Sequence, residues 1–399
     1  MCVYFWNSDP KKTRRTYSSA MKFVCRCIVL VFLSAFFLAD GKPIFDGKIR
    51  TQEDGTRSAF LTPPFKSNHA STLEQLPDGS LALAWFSGEA EEADRCSIVF
   101  STLSKDSDRW ENATVLSVQE GYSDQNPVLF YDSSASLLRL YHSHAPAKSG
   151  ESESVIFELN SSDLGATWTD PSIFLGGTFP GAFPRNRIIY ADDGGLLFPI
   201  YNAKDQYSII DRSTIDRRRW DALKVEDSKD LVQPTMIRLN DNRTLRAWFR
   251  DRRSEHIYTA TSIDDGRTFT SPKPSGLPNP NSGIEANVLS VTDRTLAEDE
   301  TAVVLVFNNY NEKNKTKYGR TPLNVALSYD GGVTWPHIRA LQKTNDGEAA
   351  GASVEFSYPS VLQTADGIIH ISYTYDRDTI KYRQITEQWI RNDDEKHLS

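Results

Sequence analysis

Beyond Gly41 the chain alternates short apolar runs with polar tips, and no segment keeps the period of a long helix. The runs are rich in Val, Ile, Leu, Phe, Tyr and Trp, which suit a pleated, half-buried surface. They come in pairs: a short apolar strand turns at a polar tip and returns as a longer one. The pairs open at His69, Asn126, Asn186, Gln233, Asn287 and Tyr358, with starts 47 to 71 residues apart. Their second members read LALAWFSG, LLRLYHSH, LLFPIYN, LRAWFRD, AVVLVFNN and IIHISYTYD. Residues 42–399 give each unit about 60 residues, enough for two further strands. Four strands per unit and six units predict an all-β fold, a six-bladed β-propeller of four-stranded antiparallel blades. Each blade would bury its faces against its neighbours, and closing the ring would remove exposed ends. Two β-sandwiches are the alternative, but no composition break supplies a linker between them.

A second motif keeps the same register. Ser161-x-Asp163-x-Gly165-x-Thr167-Trp168 recurs as Ser262-x-Asp264-x-Gly266-x-Thr268-Phe269 and as Ser328-x-Asp330-x-Gly332-x-Thr334-Trp335. Degenerate copies run from Ser104 to Trp110 and from Asp216 to Trp220. The chemistry is that of a turn: Asp accepts backbone N–H groups, Gly takes positive φ, and the aromatic caps an apolar edge. This reads as a hairpin between the outer strands of a blade, in preference to a calcium site or a lectin loop.

Charge and cysteines narrow the function. Lys and Arg number 45 against 53 Asp and Glu, a net charge of −8, so the basic footprint of a nucleic-acid binder is missing. Three of the four cysteines, Cys2, Cys25 and Cys27, precede residue 28, leaving Cys96 alone in the body of the chain. An intrachain disulfide and a Cys-x2-Cys zinc site are thereby excluded there. Residues 27–39 form an apolar run after the basic Lys22, ending at Ala39-x-Gly41. That is the pattern of a signal peptide cleaved near Gly41, and the run is short of the roughly 20 residues a membrane span needs. Residues 1–41 are therefore expected to be a signal peptide, or a signal anchor if retained, with an N-terminal extension before Met21. Sequons at Asn112, Asn160, Asn242 and Asn314 fit a secretory route.

The fixed spacing of three Ser-x-Asp-x-Gly-x-Thr-Trp/Phe motifs resembles the Asp-box, or bacterial neuraminidase repeat, of the sialidase superfamily. The segments His69-AST, Asn126-PVL, Gln233-PT, PNPNSGIEA after Leu277, and Ser357-YPSVL resemble the blade openings of sialidase-like proteins. The resemblance covers residues 65 to 385. It implies the propeller strongly and the reaction less so, because the fold carries other activities too.

For the site, the resemblance implies arginines that fork onto a sugar carboxylate. Arg250, ending LRAWFR, and Arg320, before TPLNVALS, match two of the family's three, with Arg252 and Arg253 competing for the first role. The place of the family's first arginine, at the opening of blade one, holds His69, which is partly charged at best near neutrality. The acid/base Asp matches Asp94, where Glu89, Glu91 and Glu92 would raise a carboxyl pKa toward working pH. The nucleophilic tyrosine matches Tyr358, a neutral phenol that a substrate carboxylate does not repel, unlike the carboxylate nucleophiles of most glycosidases. The Glu that activates it is replaced by Gln233, which accepts no proton. Glu285 is the expected substitute base or hydroxyl ligand, facing the same cavity as Asn281. Arg377 is a further anion-binding candidate.

These residues imply a secreted exo-glycosidase of sialidase type acting on a terminal sialic acid or related acidic sugar, with no cofactor and no metal required. Two alternatives stay open: a catalytically weakened propeller that only binds glycans, and a glycosidase or lyase for another acidic sugar. The partner is a glycan or glycoconjugate, with membrane contact only through a retained anchor.

Overall fold

In the computed structural model the described residues are 43–392, apart from 175–178, 292–295, 298–299, 312–318 and 345–353. The leader and Asn314 lie outside them. The propeller belongs to the unit Asp46–Ser399.

Six antiparallel sheets form six blades. The innermost strands are Ser67–Gln75, Tyr122–Asp132, the interrupted pair Ala182–Pro184 and Ile189–Tyr190, Leu231–Arg238, Glu285–Leu289 and Phe356–Gln363. Burial falls from the middle of each blade outward, and the sequence pattern follows it. The second strands Leu81–Gly88 and Ala302–Asn308 are buried at every position, because a neighbouring blade covers each face. The third strand His256–Ser262 is buried only at Ile257, Ala260 and Ser262, and the outer strand Trp220–Lys224 is largely exposed. Among the described residues seven apolar clusters hold the ring. Six of them each span one interface between adjacent blades, as where Trp85 and Leu83 of blade one meet Leu362 and Tyr382 of blade six, and a small seventh joins Phe183 and Tyr201 of blade three to Val232 of blade four.

The ring closes with the start of the chain. Arg57–Phe60 pairs with Thr379–Ile385, so an N-terminal strand becomes the outer strand of the last blade. Buried Arg383 locks this seam by donating to Asp54 at 2.8 Å and Thr56 at 2.6 Å. The six-bladed prediction stands, with that closure as the element the repeats did not reveal.

The Asp-boxes are hairpin turns, as their chemistry predicts. Asp264 accepts from Thr268 N at 2.9 Å and Thr268 Oγ1 at 2.6 Å, while Gly266 N donates to Ser262 Oγ at 2.9 Å. The boxes of blades two and five repeat this pattern. Their tryptophans reach the preceding blade: Trp168 lies 5.3 Å from Phe100 and Trp335 lies 6.1 Å from Trp248, centroid to centroid. Among the described residues no cluster of ligands suits a metal ion.

One device recurs on the innermost strands. In blades one, two, four and six the register slips by a bulge, at Ala70, Asn126, Gln233 and Tyr358. All four residues have φ between 47° and 55°. Asn126, Gln233 and Tyr358 are each followed by Pro, which has no N–H to give the ladder. A tyrosine or glutamine at positive φ is strained by on the order of 1–3 kcal/mol. The slip re-aims the bulged residue out of the alternation that packs its neighbours into the blade.

Candidate functional site

Tyr358 is the centre of the site. Its strained backbone turns the phenol across the mouth of the central channel, where it is 6% exposed. Guanidiniums from three blades surround the ring, with Arg185, Arg250 and Arg320 at 5.3, 5.6 and 5.3 Å from its centroid. The His69 ring lies 4.3 Å away, tilted by 49°. Gly283 abuts the phenol so closely that a Cβ there would sit 3.2 Å from Tyr358 Cγ.

Arg250 ends the second strand of blade four opposite Val232, beside Gln233. Its Nη1 donates to the Tyr358 hydroxyl at 2.5 Å and to Gln233 Oε1 at 3.0 Å, and its Nε donates to Asn281 Oδ1 at 2.8 Å. Arg320 Nη1 donates to Glu355 at 2.9 Å and its Nη2 to the Asn281 carbonyl at 3.3 Å. Five of the predicted residues, Gln233, Arg250, Asn281, Arg320 and Tyr358, thus form one bonded cluster, and His69 packs on it.

Electrostatics separate these groups. Burial holds the His69 imidazole well below its usual pKa, against the pull of Glu355, so His69 is neutral. Its Nδ1 pairs with Thr374 Oγ1 at 2.8 Å, and its buried Nε2 has no partner. Nearby, Arg377 Nε donates to Glu355 Oε2 at 2.8 Å and Nη1 to Glu91 at 2.7 Å. Burial pushes the Tyr358 phenol up, Arg250 and Arg320 pull it down further, and the balance leaves it below the usual phenol value. Glu355 is held far below the carboxylate range: burial opposes this, and Arg320, Arg377 and a hydrogen bond from Ser357 overcome it.

Two predicted residues lie apart from the phenol's contacts. Glu285 Oε2 accepts Val361 N at 2.7 Å, and its Oε1 lies 4.0 Å from Arg187. Asp94 sits in the exposed loop after blade one's second strand, where Oδ1 caps Gly121 N at 2.6 Å. In the same loop burial, then Glu91 and Glu151, raise the Glu92 carboxyl. Of the two competitors for Arg250, Arg252 pairs with Glu151 at 2.6 Å and Arg253 with Asp251 at 2.7 Å.

Sequence reasoning missed Arg185, Glu355 and Glu151. Arg185 is 1% exposed and sits where blade three's inner strand breaks. Freed from the ladder, residues 185–187 cross the channel. Arg185 donates to Pro359 O at 2.7 Å, Asn186 to Gln233 O at 2.9 Å and Arg187 to Leu73 O at 3.0 Å. Arg185 immediately precedes a recognised repeat start, and that adjacency was the available signal. Glu355 precedes the Tyr-Pro motif by three residues and carried none.

Five guanidiniums (Arg185, Arg250, Arg252, Arg320 and Arg377) face Glu91, Glu151, Glu355 and, deeper, Glu285. Arg185 and Arg250 are the cations of this set whose hydrogen-bond partners, among the described residues, are all neutral. An anion entering the mouth meets a net positive field and two uncancelled guanidiniums. Grooves of 730 and 910 Å³ lie on the rim instead, and none of these residues lines them.

Residues 79–371, more than half the chain, match the BNR repeat-like domain. No curated protein sequence matches the chain at a significant level. Among solved structures, the Hadza microbial sialidase Hz136 superposes with a TM-score of 0.67 at 16% identity, covering 82% of this chain and 67% of that one. The intramolecular trans-sialidase from Ruminococcus gnavus, in complex with oseltamivir carboxylate, gives 0.66 at 13%, covering 83% and 97%. The NanB sialidase from Streptococcus pneumoniae, as its K499G mutant, gives 0.68 at 11%, covering 88% and 71%. At such identities the likeness is one of fold.

Proposed function

The chain belongs to the BNR repeat-like family with a sialidase-like fold, and we propose that it is an exo-glycosidase of sialidase type, cleaving a terminal sialic acid or related acidic sugar. The observation that carries this reading is the phenol of Tyr358 under a ring of guanidiniums. Arg250, Arg320 and Arg377 receive the substrate carboxylate, with Arg377 supplying the charge that neutral His69 lacks. Tyr358 Oη attacks the anomeric carbon from the face opposite the leaving oxygen, giving a tyrosyl intermediate that water resolves with net retention.

The proton for the leaving oxygen comes from the Glu89–Asp94 loop. Asp94 holds the position that the family resemblance implies. Burial, then Glu91 and Glu151, raise the Glu92 carboxyl, the direction a proton donor needs. The basic-flanked apolar run at 27–39 and the sequons support secretion.

Residues 42–399, purified from a secreting host, would be given a fluorogenic α-sialoside beside Tyr358→Phe, Asp94→Asn and Glu92→Gln. The wild type releases fluorophore, and Tyr358→Phe is expected to lose on the order of a millionfold, the scale of a removed nucleophile. Whichever acidic variant falls further, and recovers with an activated leaving group, identifies the proton donor. Folded wild-type protein that releases nothing while retaining glycan affinity would favour a second reading, a glycan-binding propeller, to which Gln233 beside the nucleophile lends weight.

A further inference from the structure

In the proposed reaction Tyr358 must give up a proton, and the residue bonded beside it at blade four, Gln233, cannot take one. The charged and polar groups around the phenol come from every element packed on it. Blade one contributes neutral His69, and blade three contributes Arg185. Blade four brings Gln233 and Arg250, and blade five brings Asn281 and Arg320. Just before its own strand Glu355 is tied to Arg320, Arg377 and Ser357. Glu91 and Glu151 act on the phenol only through space and are paired with Arg377 and Arg252. Glu285 is turned to Val361 N. Among the described residues, the phenol oxygen's hydrogen-bond partner is a donor, Arg250 Nη1.

We propose that Tyr358 is activated without a carboxylate base: Arg250, Arg320 and Arg185 hold its oxygen as the anion, and Gln233 serves to aim Arg250. This rests on the glycosidase reading. Gln233 Oε1 and Asn281 Oδ1 fix two edges of the Arg250 fork, so that Nη1 reaches the phenol oxygen while Nη2 is left for a ligand. The phenol's proton leaves to water before substrate binds. The anionic oxygen then bonds to the anomeric carbon as the glycosidic C–O bond breaks, and the leaving oxygen takes its proton from the Glu89–Asp94 loop. Water attacks the same carbon, gives a proton back to that loop, and returns Tyr358 as the anion. Gln233 is thus a positioning residue, and a carboxylate in its place would compete for Arg250 and repel the anionic oxygen.

The test is the ultraviolet titration of tyrosinate, taken as wild type minus Tyr358→Phe, which isolates one phenol. The expected midpoint lies below the ordinary value of about 10. Gln233→Glu is expected to move it up by about one pH unit and to lower kcat/KM about tenfold near neutrality. Arg320→Met, which leaves the Arg250 fork intact, moves the midpoint up as well. A wild-type midpoint at or above the ordinary value, or a Gln233→Glu variant that turns over faster, overturns the inference. Unchanged circular dichroism shows each variant to be folded. A low midpoint with no sialoside released sinks the glycosidase reading alone. Release with an ordinary midpoint sinks the inference alone.

Discussion

The Asp-box rim and the channel mouth sit on the same six blades and use their repeats in opposite ways. On the rim, blades two, four and five give the same answer three times, with one Ser, one Asp, one Gly and one Thr in the same bonds. At the mouth five of the six blades each supply something different: His69, Arg185, Arg250 with Gln233, Arg320 and Tyr358. The rim satisfies backbone donors at turns, a task identical in every blade. The mouth must meet one asymmetric ligand, so the repeat survives there only as backbone, in the bulges that lift Gln233 and Tyr358 to positive φ. Stability is therefore expected to follow the rim, and turnover the mouth.

The sharpest test of that division is Gly332→Ala. Gly332 has φ of 86°, and a Cβ there would meet Trp248 Cζ2 at 2.3 Å. The strain and the displaced tryptophan are expected to cost about 3 kcal/mol. Thermal denaturation would register a clear fall in Tm, while kcat of the folded fraction stays at the wild-type value. A fall in kcat with Tm unchanged would mean that rim and mouth are coupled through blades four and five.

A smaller effect, of the opposite kind, is expected at Glu355. Glu355→Gln keeps the shape and removes the charge between Arg320 and Arg377. The two guanidiniums then repel one another and lose their alignment, and KM is expected to rise about tenfold. Tm is expected to fall too, by less than in Gly332→Ala, because Glu355 beside blade six pairs with Arg320 of blade five and its depressed carboxyl stabilises the fold at neutral pH, so KM is read on the folded fraction. An unchanged KM would remove Arg320 and Arg377 from carboxylate binding.

How much of this was legible in the sequence follows the same line. The rim was readable residue by residue, because Ser161, Asp163, Gly165 and Thr167 act on their own local backbone and fixed spacing reports that. The blades were readable because both faces of each second strand are covered, which leaves unbroken apolar runs such as AVVLVFN. The mouth was half readable. Tyr358, Arg250, Asn281, Gln233 and His69 meet because they share the openings of inner strands or the ends of second strands, and Arg320 joins them from the opening of blade five's third strand. Arg185 escaped because it lies where a strand breaks, and a broken strand has no period. Glu355 escaped because its partners, Arg320 and Arg377, are distant in sequence and it matches no motif. Glu285 faces the channel but is turned to Val361 N, a choice made by the neighbouring blade's backbone.

The smallest effect, and the finest probe of the division, is the pH dependence of one rim carboxylate. Asp163 accepts from Thr167 N, Thr167 Oγ1 and Ser161 Oγ, and these bonds lower its pKa to about 2. A carboxylate held below its unfolded value stabilises the fold above that value, near 3.9, and loses the contribution as pH falls toward the folded value. The wild-type Tm advantage over Asp163→Asn is therefore expected to be constant from neutrality down to about pH 5 and to shrink as the pH falls from about 4 toward 2. Because the group is exposed, added salt should leave the hydrogen-bonded part of the advantage and remove the remainder. kcat at neutral pH should not change, since Asp163 braces a turn at the outer edge of blade two. If the advantage instead persists below pH 2, the hydrogen-bond geometry of the box carries it without the charge. If kcat falls with it, the outer turn reaches the mouth after all, and the separation of the two regions fails at its weakest point.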